Sequence, residues 1–201
     1  MTLQILFIRH GETDWNAAGR WQGHADPPLN ANGRAQAQAL AARLARRPID
    51  HVISSDLTRA RETAEFVATA VALPVTLDAA WRERHVGDFS GLTTPEIKQT
   101  FPDAWANMQR GILNPPNGET FIELHTRVTA AFTVLTERFD SGVVAVISHG
   151  GTLNAVISHV VGVPPDRFGG FSLRGNTGVS IVEVRNGRSR LTLLNDICHL
   201  E

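Results

Sequence analysis

The sequence predicts a three-layer α/β/α sandwich built around a mostly parallel sheet. Three observations predict it. Leu3–Ile8 and Val143–Ile147 are nearly continuous apolar runs, as in strands covered on both faces. Stripes of apolar residues with helical spacing alternate with these runs. Asn186-Gly187 separates two strand-like segments, which is a strong hairpin signal.

The elements follow in order. Leu3–Ile8 is the first strand, and it stops at Arg9-His10-Gly11. Asn30 is placed to cap a helix through about Arg46, with Ala37, Leu40, Ala41 and Leu44 on one face. His51–Ser54 reads as a second strand. Ser55 or Asp56 would cap the next helix, which carries Ala60, Ala64, Val67 and Val71. Pro74–Leu77 is a third strand. One helix is expected around Pro95–Met108, before Pro115-Pro116-Asn117-Gly118 breaks the chain. Phe121, Leu124, Val128, Ala131, Phe132, Leu135 and Phe139 form the longest stripe, with Glu123 and Arg127 spaced to pair on its flank. Gly142–Ile147 is a buried strand that runs into Ser148-His149-Gly150-Gly151 and a helix to about Val161. Val179–Val184 and Leu191–Leu194 are the arms of the hairpin. Residues 1–201 read as a single domain, with about 93–117 a small helical cap inserted over one end of the sheet.

Composition excludes several classes. The chain has 201 residues, 42% hydrophobic and 19% charged, enough to bury a core and too apolar for a disordered chain. The formal charge is −1, which disfavours a nucleic-acid partner. The apolar start is too short for a signal peptide, and no window reaches membrane-spanning length, so a cytoplasmic protein without a membrane partner is expected. The lone Cys198 makes no internal disulfide and reads as a small apolar filler. A homodimer is the base-rate expectation for oligomeric state.

The chemistry sits at strand ends. In an open α/β sheet, ligands bind outside the carboxyl ends of the strands. There the sequence delivers Arg9 and His10 from the first strand, Arg59 from the helix after the second, and His149 with Gly150 from the strand at Val143. Two arginines, two histidines and the amide ends of helices suit a phosphate dianion. A neutral His10 imidazole can attack phosphorus in line and carry the phosphoryl group. Arg9 and Arg59 would spread charge off the equatorial oxygens. A proton donor is needed for the leaving alkoxide, and Glu83 in Trp81-Arg82-Glu83-Arg84-His85 is the candidate, with Glu12 and Asp88 as competitors. His10, His149 and His85 as a zinc triad is the metal alternative. The sequence offers no helical His-x-x-x-His pair and the arginines would repel a cation, so no metal and no cofactor are expected. His24, His51, His125 and His159 receive no role, and Phe101, Trp105 and Met108 read as local packing.

Arg9-His10-Gly11-Glu12-Thr13, Asn16 and Gly19-Arg20-Trp21-Gln22-Gly23 resemble the signature of the histidine phosphatase superfamily, whose best-known branch is the cofactor-dependent phosphoglycerate mutases. The similarity runs on through Ser54-Ser55-Asp56-Leu57-Thr58-Arg59-Ala60, Glu83-Arg84-His85-Val86-Gly87, Asn117-Gly118-Glu119-Thr120 and Ser148-His149-Gly150-Gly151. The resemblance implies a metal-independent enzyme in which His10 is phosphorylated, Arg9, Arg59 and His149 bind the phosphoryl group, and Glu83 donates the proton. By the same carry-over Asn16, Gln22, Gly23 and Gly150 line the pocket.

Mutases of this family carry a larger insertion with an adjacent pair of arginines, whereas here the insertion has only Lys98 and Arg110 as bases. A phosphatase for a small phosphorylated metabolite is therefore expected, with mutase as the alternative and a non-catalytic phosphate-binding module behind it. The tail Asn195-Asp196-Ile197-Cys198-His199-Leu200 loosely resembles that of metal-independent phosphoserine phosphatases. That likeness implies that His199, with His85, contacts a phosphoserine or phosphoglycerate-like substrate.

Overall fold

A computed structural model describes residues 1–109, 114–164, 171, 173 and 175–201, the side chains of 108 and 109 excepted. The expectations for Arg110 and for the Met108 side chain lie outside the described residues.

Among these residues six strands form one sheet: β1 (Leu3–Arg9), β2 (His51–Ser54), β3 (Val75–Leu77), β4 (Gly142–Ser148), β5 (Val179–Arg185) and β6 (Arg188–Asp196). The order is β3-β2-β4-β1-β5-β6. The first four pair in parallel, β5 is antiparallel to β1, and β6 is antiparallel to β5. Only β5 therefore runs against the rest. Seven helices accompany the sheet: α1 (Asp14–Ala17), α2 (Ala31–Leu44), α3 (Thr58–Val71), α4 (Thr94–Thr100), α5 (Pro102–Gln109), α6 (Phe121–Arg138) and α7 (Gly150–Val160). None is long and apolar enough to cross a membrane.

The central strand explains its own apolar run. Leu3, Ile5 and Phe7 pack with Leu124, Val128 and Phe132 of α6 and Leu153 and Val156 of α7. Leu6 and Ile8 face the opposite layer, with Leu40 and Leu44 of α2 and Ala64 and Val67 of α3. A strand buried on both faces has no polar alternation to show. At the hairpin, Asn186 and Gly187 both have positive φ, 51° and 71°, as a type I′ turn requires.

Asn30 caps α2 as expected, its side chain accepting the Gly33 amide at 2.8 Å. Other local expectations are corrected. Neither Ser55 nor Asp56 caps α3 at its first residue. Asp26, remote in sequence, accepts the Thr58 amide and hydroxyl, both at 2.7 Å, while Asp56 pairs with Arg82. The single helix of the cap is two helices, because Pro102 pushes Phe101 out of the helical region to φ −128°, ψ 59°. Phe101 and Trp105 pack there with Phe89 and Ile97. Glu123 does not pair with Arg127; it closes a capping box with Thr120, and Arg127 binds Glu119 instead. Cys198 is exposed, not a filler.

One close approach fixes the start of the site. A Cβ on Gly33 would lie 2.0 Å from the Glu12 carbonyl oxygen, and one on Gly11 would lie 2.6 Å from that of Gly33. Gly33→Ala should therefore destabilise the fold by about 2 kcal/mol or more and displace the chain just after His10. Urea unfolding measures the first effect; a midpoint equal to the parent's would contradict the packing.

Candidate active site

The strand order does the assembling. Because β2, β4 and β1 are neighbours and parallel, their carboxyl ends meet at one edge. His10 follows β1 and His149 follows β4, and their rings stand 5.1 Å apart between centroids. Both are buried, with the His10 amide bonded to the Ser148 carbonyl at 2.9 Å.

His10 Nδ1 lies 2.6 Å from the Gly11 carbonyl oxygen. A carbonyl only accepts, so Nδ1 carries the proton and Nε2 keeps its lone pair. The peptide carbonyl of His10 accepts from Asn176 Nδ2 at 3.0 Å and from the Thr177 amide at 3.3 Å. His149 Nε2 lies 2.8 Å from Ser55 Oγ. Burial, reinforced by Arg59 and Arg9, holds the His10 imidazole well below its usual range. Burial, then Arg59, His10 and Arg9, does the same for His149.

Arg59 is 1% exposed. Its guanidinium donates to the Ala25 and Gly23 carbonyls, both at 2.8 Å, which holds the loop between them as one wall of the cleft. Burial lowers it to about 10, with Glu83 and Asp26 opposing, so it stays cationic at neutral pH. Arg9 donates to the Leu173 carbonyl at 3.1 Å, and Gly150 at the start of α7 lies against its guanidinium. Arg59 Nε and Arg84 Nη2 are buried donors with no acceptor among the described residues. An anion would supply one.

Glu83 reaches the first turn of α7, where its carboxylate accepts the Gly151 amide at 3.0 Å and the Thr152 amide at 3.2 Å. A Cβ on Gly151 would stand 2.5 Å from that carboxylate, so glycine is required there. The competitors are engaged elsewhere, Glu12 by Asn30 and Asp88 by Asn117. The segment bearing Glu83 is riveted on several sides. Ser148 Oγ donates to the Trp81 carbonyl at 2.7 Å and Thr152 Oγ1 to that of Arg82 at 2.6 Å. Arg127 donates to the Ala80 carbonyl at 2.8 Å and grips Glu119 with two nitrogens, both at 2.9 Å.

The expected lining residues divide. Gly23, at φ +52° against Val86, belongs to the wall that Arg59 holds. Gln22 is buried beside it, with Oε1 lacking a hydrogen-bond partner among the described residues. His85 is exposed and meets His24 edge-on at 4.9 Å, while His24 Nε2 binds the Glu83 carbonyl at 2.8 Å. Asn16 spends its Oδ1 on the capping box of α1. His199 is engaged within the tail. Its Nε2 lies 2.9 Å from Thr177 Oγ1 and its Nδ1 3.3 Å from Arg43 of α2, so both ring nitrogens are committed to seating the tail. His199→Ala should therefore leave KM within about twofold and cost about 1 kcal/mol of stability. A tenfold rise in KM for phosphoserine would restore it as a substrate contact.

The buried imidazoles also set acid stability. Unfolded, each titrates near 6.5; folded, each titrates lower. Between those values the unfolded chain binds more protons. Stability is thus fully present above about pH 6.5 and falls as pH drops through the lowered folded values, by at most about 1.4 kcal/mol per pH unit for each ring. Urea midpoints at pH 7.5 and 5.5 should show the loss, and His149→Gln should reduce it.

His24, Ser55, Arg84, Glu119, Arg127 and Asn176 escaped the sequence reading as site residues. Ser55, Arg84 and Glu119 stand inside the motif blocks; Arg127 and Asn176 carry no local signal. A family model described as the histidine phosphatase superfamily (branch 1) matches residues 5–197. Phosphoglycerate mutase-like protein 4 of Arabidopsis thaliana is 35% identical, over 98% of this chain and 87% of its own length. The metal-independent phosphoserine phosphatase of the same plant is 34% identical, over 98% and 83%. The solved structure of Bacillus stearothermophilus YhfR superposes with a TM-score of 0.92 at 31% identity, over 99% of this chain and 100% of that one.

Proposed function

The chain belongs to the histidine phosphatase superfamily (branch 1), and from that membership we propose that it hydrolyses small phosphate monoesters through a phosphohistidine on His10. The observation that carries the reading is the Nδ1 bond to the Gly11 carbonyl, which leaves Nε2 of a neutral, buried ring as the nucleophile.

The substrate dianion sits among Arg9, Arg59, His149 and the Gly150 amide at the start of α7. Nε2 attacks phosphorus as the ester oxygen departs, and Glu83 gives that oxygen a proton. The ring keeps its Nδ1 proton, so phosphorylated His10 bears a positive charge that the Gly11 carbonyl supports and is a good leaving group. Glu83, now ionised, takes a proton from water as the water oxygen attacks phosphorus. Inorganic phosphate leaves and His10 returns neutral. No step calls on a metal.

Hydrolysis is favoured over phosphoryl return by the small cap. Its base Lys98 lies over the Trp105 ring, 4.9 Å from the centroid, instead of forming half of a carboxylate clamp. The likeness to phosphoglycerate mutase-like proteins supports the second reading, a mutase. Phosphoserine and phosphoglycerate-like esters are the substrate class we favour, and the cytoplasm is where such metabolites are held. The test is a panel of phosphoserine, phosphoglycerate, sugar phosphates and nucleoside monophosphates compared by kcat/KM. With labelled monophosphoglycerate and bisphosphoglycerate together, isomerisation faster than phosphate release would favour the mutase and end the hydrolase reading.

A further inference from the structure

His149 has two ring nitrogens in different circumstances. Nε2 faces Ser55 Oγ at 2.8 Å. Nδ1 is buried and has no hydrogen-bond partner among the described residues. A neutral imidazole carries one proton, and which nitrogen holds it decides whether Nδ1 repels or attracts an anion.

Ser55 is wholly buried and rigidly placed. Its amide donates to the Ile147 carbonyl at 3.0 Å, and its carbonyl accepts from Ser54 Oγ at 2.8 Å. Its Oγ accepts the Leu57 amide at 3.3 Å. The hydroxyl has one proton to give, and the acceptor within reach is His149 Nε2. The opposite arrangement, with Nε2–H donating to Ser55, strands the serine proton and also leaves a bare lone pair on Nδ1. Two buried groups would then be unsatisfied instead of one, and each such group costs about 1–3 kcal/mol.

We infer that Ser55 is a positioning residue: it donates to His149 Nε2 and so locks the proton on Nδ1, making His149 a neutral hydrogen-bond donor to the phosphoryl oxygens. The role of that donor in catalysis rests on the phosphohydrolase reading; the tautomer does not. The mechanism then has two imidazoles of the same protonation pattern and opposite duty. Gly11 accepts from His10 Nδ1 and frees Nε2 to attack. Ser55 donates to His149 Nε2 and turns Nδ1–H toward the charge that builds on the equatorial oxygens. No extra proton enters the cleft.

The experiment is long-range 1H–15N correlation of histidine-labelled enzyme, with His149 signals assigned by their loss in His149→Gln. The wild type should show a pyrrole-type Nδ1 and a pyridine-type Nε2, and inorganic phosphate should move the Nδ1–H resonance. Ser55→Ala should mix or reverse the tautomers and lower kcat about tenfold or more with a smaller change in KM. Ser55→Thr, which keeps the hydroxyl, should restore both. A pyridine-type Nδ1 in the wild type, with ester hydrolysis intact, overturns the role of Ser55 and leaves the hydrolase standing. The expected tautomer without hydrolysis of any ester upholds the lock while ending the hydrolase reading. The wild-type spectrum decides the tautomer even if Ser55→Ala does not fold.

Discussion

His10→Ala should lower turnover of an aryl phosphate by about 10⁴-fold or more, into the range left by binding and electrostatics alone. The size follows from what the ring supplies. In the proposed mechanism its Nε2 makes the new bond to phosphorus, and burial with two arginines favours its neutral state. Arg9, Arg59 and His149 would still gather the substrate, so KM should change far less than kcat. Acid-quenched wild-type enzyme should carry acid-labile phosphate after exposure to substrate, and the variant should carry none. Turnover that survives the substitution, or activity lost to a chelator and restored by zinc, would remove the phosphohistidine.

Glu83→Gln should act according to the leaving group. An alkyl phosphate such as phosphoserine needs a proton on its departing oxygen, so kcat should fall by about 10³-fold. A nitrophenolate leaves without help, so phosphorylation of His10 should proceed while attack of water, deprived of its base, lags. The expected result is a burst of one equivalent of nitrophenol followed by a slow steady rate. The two carboxylate oxygens accept separately, Oε2 from the Gly151 amide and Oε1 from those of Thr152 and Arg84, so glutamine keeps the shape but sets its NH2 against an amide donor, and stability should fall by about 1–3 kcal/mol. Equal losses on aryl and alkyl esters, with no burst, would move the proton transfer to another group.

The layers and the sheet were legible because their signals are local or periodic. Leu3–Ile8 and Val143–Ile147 are apolar without interruption since helices cover both sides. The juxtaposition of Arg9, His10, Arg59 and His149 was legible too, because parallel neighbours bring their carboxyl ends together whatever the detail. What escaped was the choice of partner among chemically equal candidates. Ser55 and Asp56 stood just before α3, yet the carboxylate that caps it, Asp26, comes from a loop thirty-two residues away from Thr58. Arg127 had Glu123 at ideal helical spacing, yet the Glu123 carboxylate accepts the Thr120 amide at its own helix end, and Glu119 was left for the arginine. His199 lay in a tail that matched a substrate-binding one, but Arg43 and Thr177 offered it partners that no one-dimensional pattern reveals.

The wall between Gly23 and Asp26 is held by α3, and α3 is held by the wall. Arg59 secures the loop through two carbonyls, and Asp26 closes the helix end through Thr58. Neither can detach first without exposing the other's unmet bonds. The two should therefore open as one unit, with amide hydrogens in both exchanging at a common free energy.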